Sequence, residues 1–577
     1  MKPQARATRK QPAKPRSDLS TARLLWLALF VSLFSVLFYY RNGDLLLYGD
    51  AVAHINIARR VFDSRTPGLL QLGTVWLPLP HLLILPFIIS KQLWQSGSGG
   101  SIPSMAAFIV GVLGIFRLAR TALTVNGQVD SIAKAGAWAA AIVYIANPNL
   151  IYMQATAMGE SLYLAFFIWA VAFFVEFAQG NSKALTRCGW CLAAACLTRY
   201  DGWFLAAVLV LAAIRLAFRE RNVNAPGSGN SKAANAQAAG LRGGIVTAAI
   251  VKFVLIAIAA PILWLVYNAA VYQNPLEFAN GAYSARAIAQ KTDTVNPAQG
   301  NLLAAGAYFL KAAELNVANS TWPGRLWLVL ALLGSLAVLI ERRGRLALFL
   351  WTPLPFYALS IAYGSVPIFV PTWWPFSVYN VRYGLQLLPA FAVFVFLGIH
   401  FLVRLFFKVF STPAFETRWA GTATFPAVLL LVIAGYAAIW QSDPICLREA
   451  QVNSRGRIAL DKQLEEWLKS LPSDSTLLMY LGDHVGALER AGVPLKRTIN
   501  EGNHRVWKQP SDPEGLWERA LADPTAYGNF ILGFKGDPVW NAAMARHLPA
   551  IVEIHVTGQP AAVIFQGGVR ATTQERR

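Results

Sequence analysis

Long apolar segments recur along the chain from Leu24 to Trp440, and they constrain the fold more than any other feature of the sequence. The segments are about 16 to 25 residues long, and a helix of roughly 20 apolar residues crosses the ~30 Å hydrocarbon core of a bilayer. Of the 577 residues, 55% are hydrophobic and 14% are charged. The sequence therefore excludes a soluble enzyme or a protein with a single anchor, and it predicts an α-helical polytopic membrane protein.

Positive charge exceeds negative charge, with 51 Lys and Arg against 30 Asp and Glu. A net charge of +21 in a soluble protein would suggest nucleic-acid binding, but no nucleic-acid-binding motif accompanies it here. The basic residues cluster in alternate loops, as expected where cytoplasmic loops meet anionic membrane lipids. This pattern predicts a cytoplasmic N-terminus and about eleven spans, near residues 24–40, 102–119, 133–148, 160–178, 188–200, 202–218, 246–272, 325–340, 346–363, 381–403 and 424–441.

Composition divides the chain into three predicted regions. Residues 1–23 form a basic cytoplasmic tail, and residues 24–444 form the transmembrane domain, whose first outer loop covers about 41–101. Residues 445–577 have the composition of a soluble α/β domain, with an amphipathic helix near 460–468, strands near 477–481 and 530–534, and a hairpin over 551–565. An odd number of spans places this domain outside a cytoplasmic or endoplasmic-reticulum-type membrane.

The first outer loop carries a predicted interfacial helix over residues 50–64, because its apolar residues recur at helical spacing. The next apolar piece, residues 75–94, is interrupted by three prolines. This piece is either a span or a second interfacial helix. The charge pattern favours an interfacial position, since a span would move later basic loops to the outer face.

Asp50 and His54 lie one helical turn apart, so their side chains share a helix face. This spacing suits a general base with its orienting partner, or two ligands of a divalent metal ion. The alternative is structural: an acid at a helix N-terminus that interacts favourably with the helix dipole, beside a solvated histidine.

Other ionisable groups gather at the predicted outer face, where burial near hydrocarbon makes them functional candidates. The guanidinium groups of Arg199 and Arg382 match the geometry of phosphate oxygens. The alternative for Arg199 is an internal pair with Asp201. Glu160 begins a predicted span, so it is either functional or an N-terminal helix charge. The outer-face candidates are Asp50, His54, Arg59, Arg60, His81, Glu160, Arg199, Asp201 and Arg382.

Short motifs follow one another along residues 24–405, and each alone is weakly specific. They are Tyr48-Gly-Asp50, Leu77-Pro-Leu-Pro-His81, Asn147-Pro148, Ala155-Thr-Ala-Met-Gly-Glu160, Leu197-Thr-Arg-Tyr-Asp-Gly202, Asn274-Pro-Leu-Glu277, Arg382-Tyr383 and Leu388-Pro389. Their order and their common predicted side of the membrane resemble the GT-C glycosyltransferases, a superfamily that includes protein O-mannosyltransferases and lipid A aminoarabinose transferases.

The resemblance implies a GT-C-like membrane enzyme that moves a sugar from a polyprenyl-phosphate donor to an acceptor at the extracytoplasmic face. Asp50 would then be the catalytic base. The donor phosphate would be bound by Arg199, Arg382 and Arg59. The supporting residues would be His54, His81, Glu160, Asp201 and Tyr383.

Two motifs depart from the pattern of particular GT-C members. Protein O-mannosyltransferases have an Asp-Glu pair where this chain has Asp50-Ala51, and oligosaccharyltransferases have an acidic D-x-D element where it has Asn147-Pro-Asn149. The sequence therefore leaves open the sugar, the acceptor (protein, lipid or glycan) and any divalent metal ion. Asp50 and His54 are the candidate metal ligands.

Two other functions fit part of the pattern. A transporter or flippase for a lipid-linked or anionic solute would use the same charged residues as a translocation site. A membrane-anchored binding or assembly protein would use the soluble domain instead. Transporters place charged residues near the middle of several spans, whereas the predicted span 246–272 carries only Lys252, near its inner edge. The position of the charges therefore favours the enzyme.

Overall fold

Helices make up most of the chain in the computed structural model, which describes residues 19–124, 129–223, 233–281, 284–292, 295–342, 344–410, 413–482, 484–503 and 515–568. The predicted basic tail falls outside the described residues as far as residue 18. The helices of the first 441 residues are α1 (Leu19–Asn42), α2 (Gly49–Arg60), α3 (Pro78–Ile84), α4 (Lys91–Gln95), α5 (Ser98–Ala122), α6 (Ser131–Ile145), α7 (Pro148–Gln154), α8 (Glu160–Ala178), α9 (Ser182–Cys196), α10 (Asp201–Val223), α11 (Ala233–Tyr272), α12 (Glu277–Asn280), α13 (Ala285–Thr292), α14 (Leu302–Val317), α15 (Thr321–Glu341), α16 (Pro353–Tyr363), α17 (Leu388–Phe410) and α18 (Pro413–Gln441).

Eight helical segments among the described residues are long and apolar enough to cross a membrane, which makes the chain an integral membrane protein. They coincide with eight of the predicted spans. The other three predicted spans coincide with α6, α9 and α10, which are not among the eight. The count of eleven spans therefore stays a prediction.

Small residues allow two of the membrane helices to pack backbone against backbone. Gly334 of α15 faces the carbonyl oxygen of Phe394 in α17, and Gly398 of α17 faces the carbonyl oxygen of Leu330 in α15. A Cβ atom at either glycine would overlap the facing carbonyl. Close approach of this kind stabilises helix pairs in a bilayer, where apolar surface alone does not drive association.

The predicted first outer loop contains short helices. The predicted interfacial helix is α2, which ends at Arg60. The proline-interrupted piece holds α3 and α4, of seven and five residues. A helix of seven residues is roughly 10 Å long and cannot cross a bilayer. Neither α3 nor α4 can therefore span the membrane by itself, and the interfacial position of this piece stays a prediction.

The C-terminal region contains a five-stranded sheet, as the predicted strands indicated. Its strands are β1 (Leu477–Met479), β2 (Thr498–Ile499), β3 (Phe530–Phe534), β4 (Ala550–Ile554) and β5 (Ala562–Gln566), in the order β2-β1-β3-β5-β4. β1 is parallel to β2 and β3, whereas β5 is antiparallel to β3 and β4. The helices of this region are α19 (Ile445–Ser470), α20 (Val485–Ala491), α21 (Leu516–Ala522), α22 (Pro524–Tyr527) and α23 (Pro538–Ala545).

The C-terminal region packs directly on the predicted first outer loop. Arg457 of α19 donates to the carbonyl oxygens of Leu46 and Leu47, at 3.0 and 2.9 Å. The amide of Lys496 donates to Asp63 at 3.1 Å. The sheet-bearing region and the loop that carries α2 therefore lie on the same side of the helix bundle.

A buried polar contact joins α2 to α20. The side-chain amide of Asn56 donates to Glu489 Oε2 at 2.7 Å, and Trp94 donates to Asn56 Oδ1 at 3.0 Å. Glu489 Oε1 is also buried and has no hydrogen-bond partner among the described residues. Burial raises the pKa of Glu489 to about 8, although Asn56 and Arg457 act in the opposite direction.

This raised pKa predicts that the protein loses stability as the pH rises. Below the ordinary pKa of 4.5 the carboxyl group is neutral in both the folded and the unfolded chain, so its burial causes no pH-dependent loss of stability. Between pH 4.5 and about 8 the unfolded chain is ionised while the folded chain holds a proton, and stability falls by at most about 1.4 kcal/mol per pH unit. Thermal unfolding of Glu489→Gln should show a shallower pH dependence than the wild type.

The control for this measurement is Glu466→Gln, because Glu466 is exposed on α19. It should keep the wild-type slope of melting temperature against pH. A Glu489→Gln protein with that same slope would show that Glu489 does not titrate in this range.

Candidate active site

Two arginines and four carboxylates meet on the side of the bundle that carries the C-terminal region. We call these residues the acid–arginine cluster. Its members are Asp50, Glu160, Arg199, Asp201, Arg382 and Glu449. Five of the six were candidates from the sequence, and the structure brings all five together.

Arg382 is the centre of the cluster, since its guanidinium contacts three carboxylates. Nη2 lies 2.6 Å from Asp50 Oδ2, Nη1 lies 2.8 Å from Glu449 Oε1, and Nε lies 3.3 Å from Glu160 Oε1. The Arg382 side chain is only 7% exposed. A buried guanidinium requires anionic partners, because an unpaired charge in this position would be strongly destabilising.

Arg199 joins the same cluster through Glu160. Its Nη1 lies 3.2 Å from Glu160 Oε1, the oxygen that also faces Arg382. Its Nε lies 3.4 Å from Asp201 Oδ2, so the internal pair considered from the sequence is present as well. The Tyr357 hydroxyl accepts from Arg199 Nη2 at 2.8 Å and donates to Asp201 Oδ2 at 3.0 Å.

Helix N-termini position three of the four carboxylates. Asp50, Glu160 and Asp201 lie in the first turns of α2, α8 and α10. An acidic side chain is favoured there by the helix dipole and by the unpaired backbone N–H groups. Each of the three acids therefore lies at a helix N-terminus and also belongs to the acid–arginine cluster. The structural interpretation and the functional interpretation hold for the same residues.

Aromatic rings enclose the two guanidinium groups. The Arg382 guanidinium lies 4.9 Å from the Tyr48 ring centre and 5.1 Å from the Tyr383 ring centre. The Tyr383 ring also lies 4.9 Å from the Arg199 guanidinium, so it stands beside both arginines. Such contacts stabilise a cation, because the face of an aromatic ring is electrostatically negative.

Asp50 is the carboxylate of the cluster that solvent reaches. Its side chain is 38% exposed, whereas those of Glu160, Asp201 and Glu449 are 2% exposed or less. Because Asp50 also contacts Arg382, a ligand that approached from solvent would meet this pair first.

The predicted supporting histidines pair with each other. His54 Nδ1 lies 2.8 Å from His81 Nε2, and burial lowers the pKa of His54 and lowers that of His81 well below its ordinary value. Arg59 has a different environment from the other two arginines: it pairs with Asp63 at 2.8 Å and stacks on Trp94. The ion pairs of the acid–arginine cluster, within the described residues, include neither the histidines nor Arg59, although the charges of the cluster act on His54.

The two candidate metal ligands have different partners. Asp50 is paired with Arg382, while His54 is hydrogen-bonded to His81. Within the described ranges, no group of three or more His, Cys, Asp or Glu side chains is positioned to hold a metal ion. These residues do not fit a metal site in this arrangement.

The sequence interpretation missed Glu449 and Tyr357. Glu449 falls in the region predicted to be soluble, and it has the charged neighbours of an exposed helix. The available signal was its position, because α19 begins shortly after the last apolar segment and its first turns must still lie at the membrane face. Tyr357 is an isolated tyrosine inside an apolar segment, and nothing in its neighbours distinguishes it.

Comparison with solved structures identifies the fold. No protein-family model and no curated protein matches the chain. ArnT from Cupriavidus metallidurans bound to undecaprenyl phosphate is similar with a TM-score of 0.56 and 13% identity, over 97% of this chain and 100% of that chain. The apo state of ArnT gives a TM-score of 0.52 and 14% identity, over 95% and 98% of the two chains.

An oligosaccharyltransferase from Archaeoglobus fulgidus, solved with Zn and sulfate, is less similar, with a TM-score of 0.44 and 12% identity over 89% of this chain and 68% of that chain. That similarity is too low to support an argument. The match to ArnT extends over nearly the whole of both chains, including the sheet-bearing C-terminal region. The chain therefore shares the fold of ArnT.

Proposed function

We propose that this protein is a membrane glycosyltransferase that moves a sugar from a polyprenyl-phosphate donor to an acceptor at the extracytoplasmic face. The observation that carries the proposal is the solvent-facing pair of Asp50 with the buried Arg382, at 2.6 Å. This pair offers a proton acceptor and a phosphate-binding cation side by side. The similar structure of ArnT bound to undecaprenyl phosphate supports a lipid phosphate as the ligand.

The charge of the cluster determines how a phosphate can bind there. Four carboxylates surround two guanidinium groups, so the fully ionised cluster carries two more negative than positive charges. An additional anion would be repelled unless it replaced a carboxylate. The Asp50 carboxylate is the one that the phosphate would displace from Arg382, since the other three are buried and Asp50 is partly exposed. The donor phosphate would therefore take the Nη2 edge of Arg382.

This replacement also prepares the base. Released from Arg382, the Asp50 carboxylate can accept the proton of an acceptor hydroxyl that lies beside the donor sugar. The hydroxyl oxygen forms a bond to the anomeric carbon while the bond from that carbon to the phosphate oxygen breaks. The electron pair leaves with the lipid phosphate, whose charge becomes more negative, and Arg382 and Arg199 stabilise that charge. The products are the glycosylated acceptor, the lipid phosphate and a proton on Asp50.

The proposed orientation has a cytoplasmic N-terminus and an extracytoplasmic C-terminal region. The alternation of basic loops supports it, as does the packing of the C-terminal region on the first outer loop. A C-terminal alkaline phosphatase fusion should be active, and a cytoplasmic reporter fused at the same site should be inactive. The reverse result would move the cluster to the cytoplasmic side and remove this donor topology.

The transfer itself can be tested with the purified protein. It should release polyprenyl phosphate from at least one member of a panel of lipid-linked monosaccharides, in the presence of a mixture of acceptors. A protein in liposomes that moved the same lipids between leaflets without releasing lipid phosphate would support the transporter or flippase alternative. Release without movement would support the enzyme.

A further inference from the structure

A single carboxylate from the helix that leads into the C-terminal region binds both the backbone and the side chain of Arg382. Glu449 Oε2 accepts from the backbone amides of Val381 and Arg382, at 2.8 and 3.3 Å. Its Oε1 accepts from the Asn380 amide at 3.0 Å and from Arg382 Nη1 at 2.8 Å. The Glu449 side chain is fully buried, so water does not compete for these four bonds.

These bonds determine where the guanidinium of Arg382 points. Glu449 occupies Nη1, and Glu160 faces Nε at 3.3 Å. The remaining nitrogen, Nη2, is thereby directed toward Asp50 and the solvent-facing side of the cluster. Because three backbone amides hold the carboxylate, it acts as a rigid support.

The helix that carries Glu449 is itself anchored at the membrane face. The Cys446 amide donates to Asn149 Oδ1 at 2.9 Å, and its carbonyl accepts from the Tyr48 hydroxyl at 2.8 Å. The same Tyr48 ring lies against the Arg382 guanidinium. Farther along α19, Leu460, Leu464 and Leu468 are buried in the protein core. The position of Glu449 therefore depends on the docking of α19.

We propose that Glu449 is a positioning residue for the transfer reaction, which orients the Arg382 guanidinium so that its Nη2 edge is presented to the donor phosphate. This proposal rests on the proposed function, because it assigns Glu449 a role at the same phosphate site. Glu449 acts through Arg382 and does not contact the substrate. It also links the docking of the C-terminal region to the competence of the site.

The test uses undecaprenyl phosphate as the probe and the full-length protein. Glu449→Gln keeps the size of the side chain but removes its charge and places an amide N–H₂ against existing donors. We expect it to weaken the affinity for undecaprenyl phosphate by about tenfold to 100-fold, the loss typical of a charge-assisted hydrogen bond. Glu449→Asp should recover part of the affinity, and Glu466→Gln, on the same helix, should not change it.

A double-mutant cycle separates positioning from general stability. If Glu449 acts through Arg382, adding Glu449→Gln to Arg382→Lys should change the affinity by less than about threefold. An equal loss in both backgrounds would assign Glu449 a merely structural role and overturn the proposal. If Glu449→Gln does not fold, the same comparison is made with Glu449→Asp, which should lose affinity only when Arg382 is present.

Different results would refute the proposed function and the role of Glu449. A wild-type protein that neither binds undecaprenyl phosphate nor releases it from any donor refutes the proposed function, and the role of Glu449 falls with it. A wild type that binds the lipid, together with a folded Glu449→Gln protein that binds it equally tightly, refutes the role of Glu449 alone.

Discussion

Asp50→Asn should lower the turnover number by about 10²- to 10⁴-fold, the usual cost of losing a general base. Asparagine keeps the size of the side chain and can still accept a hydrogen bond from Arg382, but it cannot take up a proton from the acceptor. Affinity for undecaprenyl phosphate should be unchanged or up to about fivefold tighter, because a partly exposed ion pair that competes with the phosphate has been removed. Steady-state kinetics and equilibrium binding measure the two effects separately.

Asp44→Asn is the matched control, since Asp44 lies in the same outer loop and outside the acid–arginine cluster. Its turnover should stay within about twofold of the wild type. Near-normal turnover in a folded Asp50→Asn protein would remove Asp50 as the base, and the buried Glu160 would be the next acid to test. Weaker lipid binding in Asp50→Asn would contradict the replacement of Asp50 by the donor phosphate.

The same variant also distinguishes a general base from a metal ligand at Asp50. A ligand role would make turnover sensitive to chelators, and excess divalent ion would partly rescue Asp50→Asn. The geometry favours the base, because Asp50 and His54 have different partners. Turnover that survives a chelator is therefore the expected result.

Much of the fold could be predicted from local patterns. Apolar segments of membrane-spanning length located the eight helical segments that are long and apolar enough to span, and strand-like sequence located β1, β3 and the β4–β5 hairpin. The lengths and the ends of the helices could not be predicted as closely. The helix predicted near 460–468 extends over all of α19, and Arg457, in the part that was not predicted, contacts the predicted outer loop.

Residues of the site could be predicted from the sequence where a charged residue lies at the end of a predicted span. Asp50 lies 110 positions before Glu160, and Glu160 lies 41 positions before Asp201, yet the ends of spans on one face of a bundle must lie near one another. The ion-pair partners of the arginines could not be predicted. Arg59 and Arg382 look alike in sequence, but α2 turns Arg59 toward Asp63, whereas a backbone segment ahead of α17 turns Arg382 into the cluster.

Glu449 illustrates what local patterns cannot supply. Its importance comes from a contact with residues 67 to 69 positions earlier in the chain. Whether an acidic residue faces water or a buried arginine depends on the direction in which α19 leaves the membrane. That direction is set by contacts such as the Cys446 amide with Asn149, which involve different parts of the chain.

Arg382→Lys should weaken the affinity for undecaprenyl phosphate by about tenfold to 100-fold and lower kcat/KM by at least as much. Lysine keeps the positive charge but lacks the planar fork, so it cannot face Asp50, Glu160 and Glu449 with three separate nitrogens. Lysine is preferred to alanine as the test. Arg382→Ala would leave the buried Glu449 without the cation it pairs with, at a cost of about 3–5 kcal/mol in folding stability.

The control is Arg404→Lys, in which an arginine of α17 that pairs with Glu341 at 2.9 Å undergoes the same change. Arg404 is half-exposed, and surface pairs of this kind contribute about 1 kcal/mol or less, so lipid affinity should not change. A folded Arg382→Lys protein with wild-type affinity would show that the phosphate does not use the Nη2 edge. Arg199 would then be the remaining cation of the cluster, and Arg199→Lys should carry the loss of affinity instead.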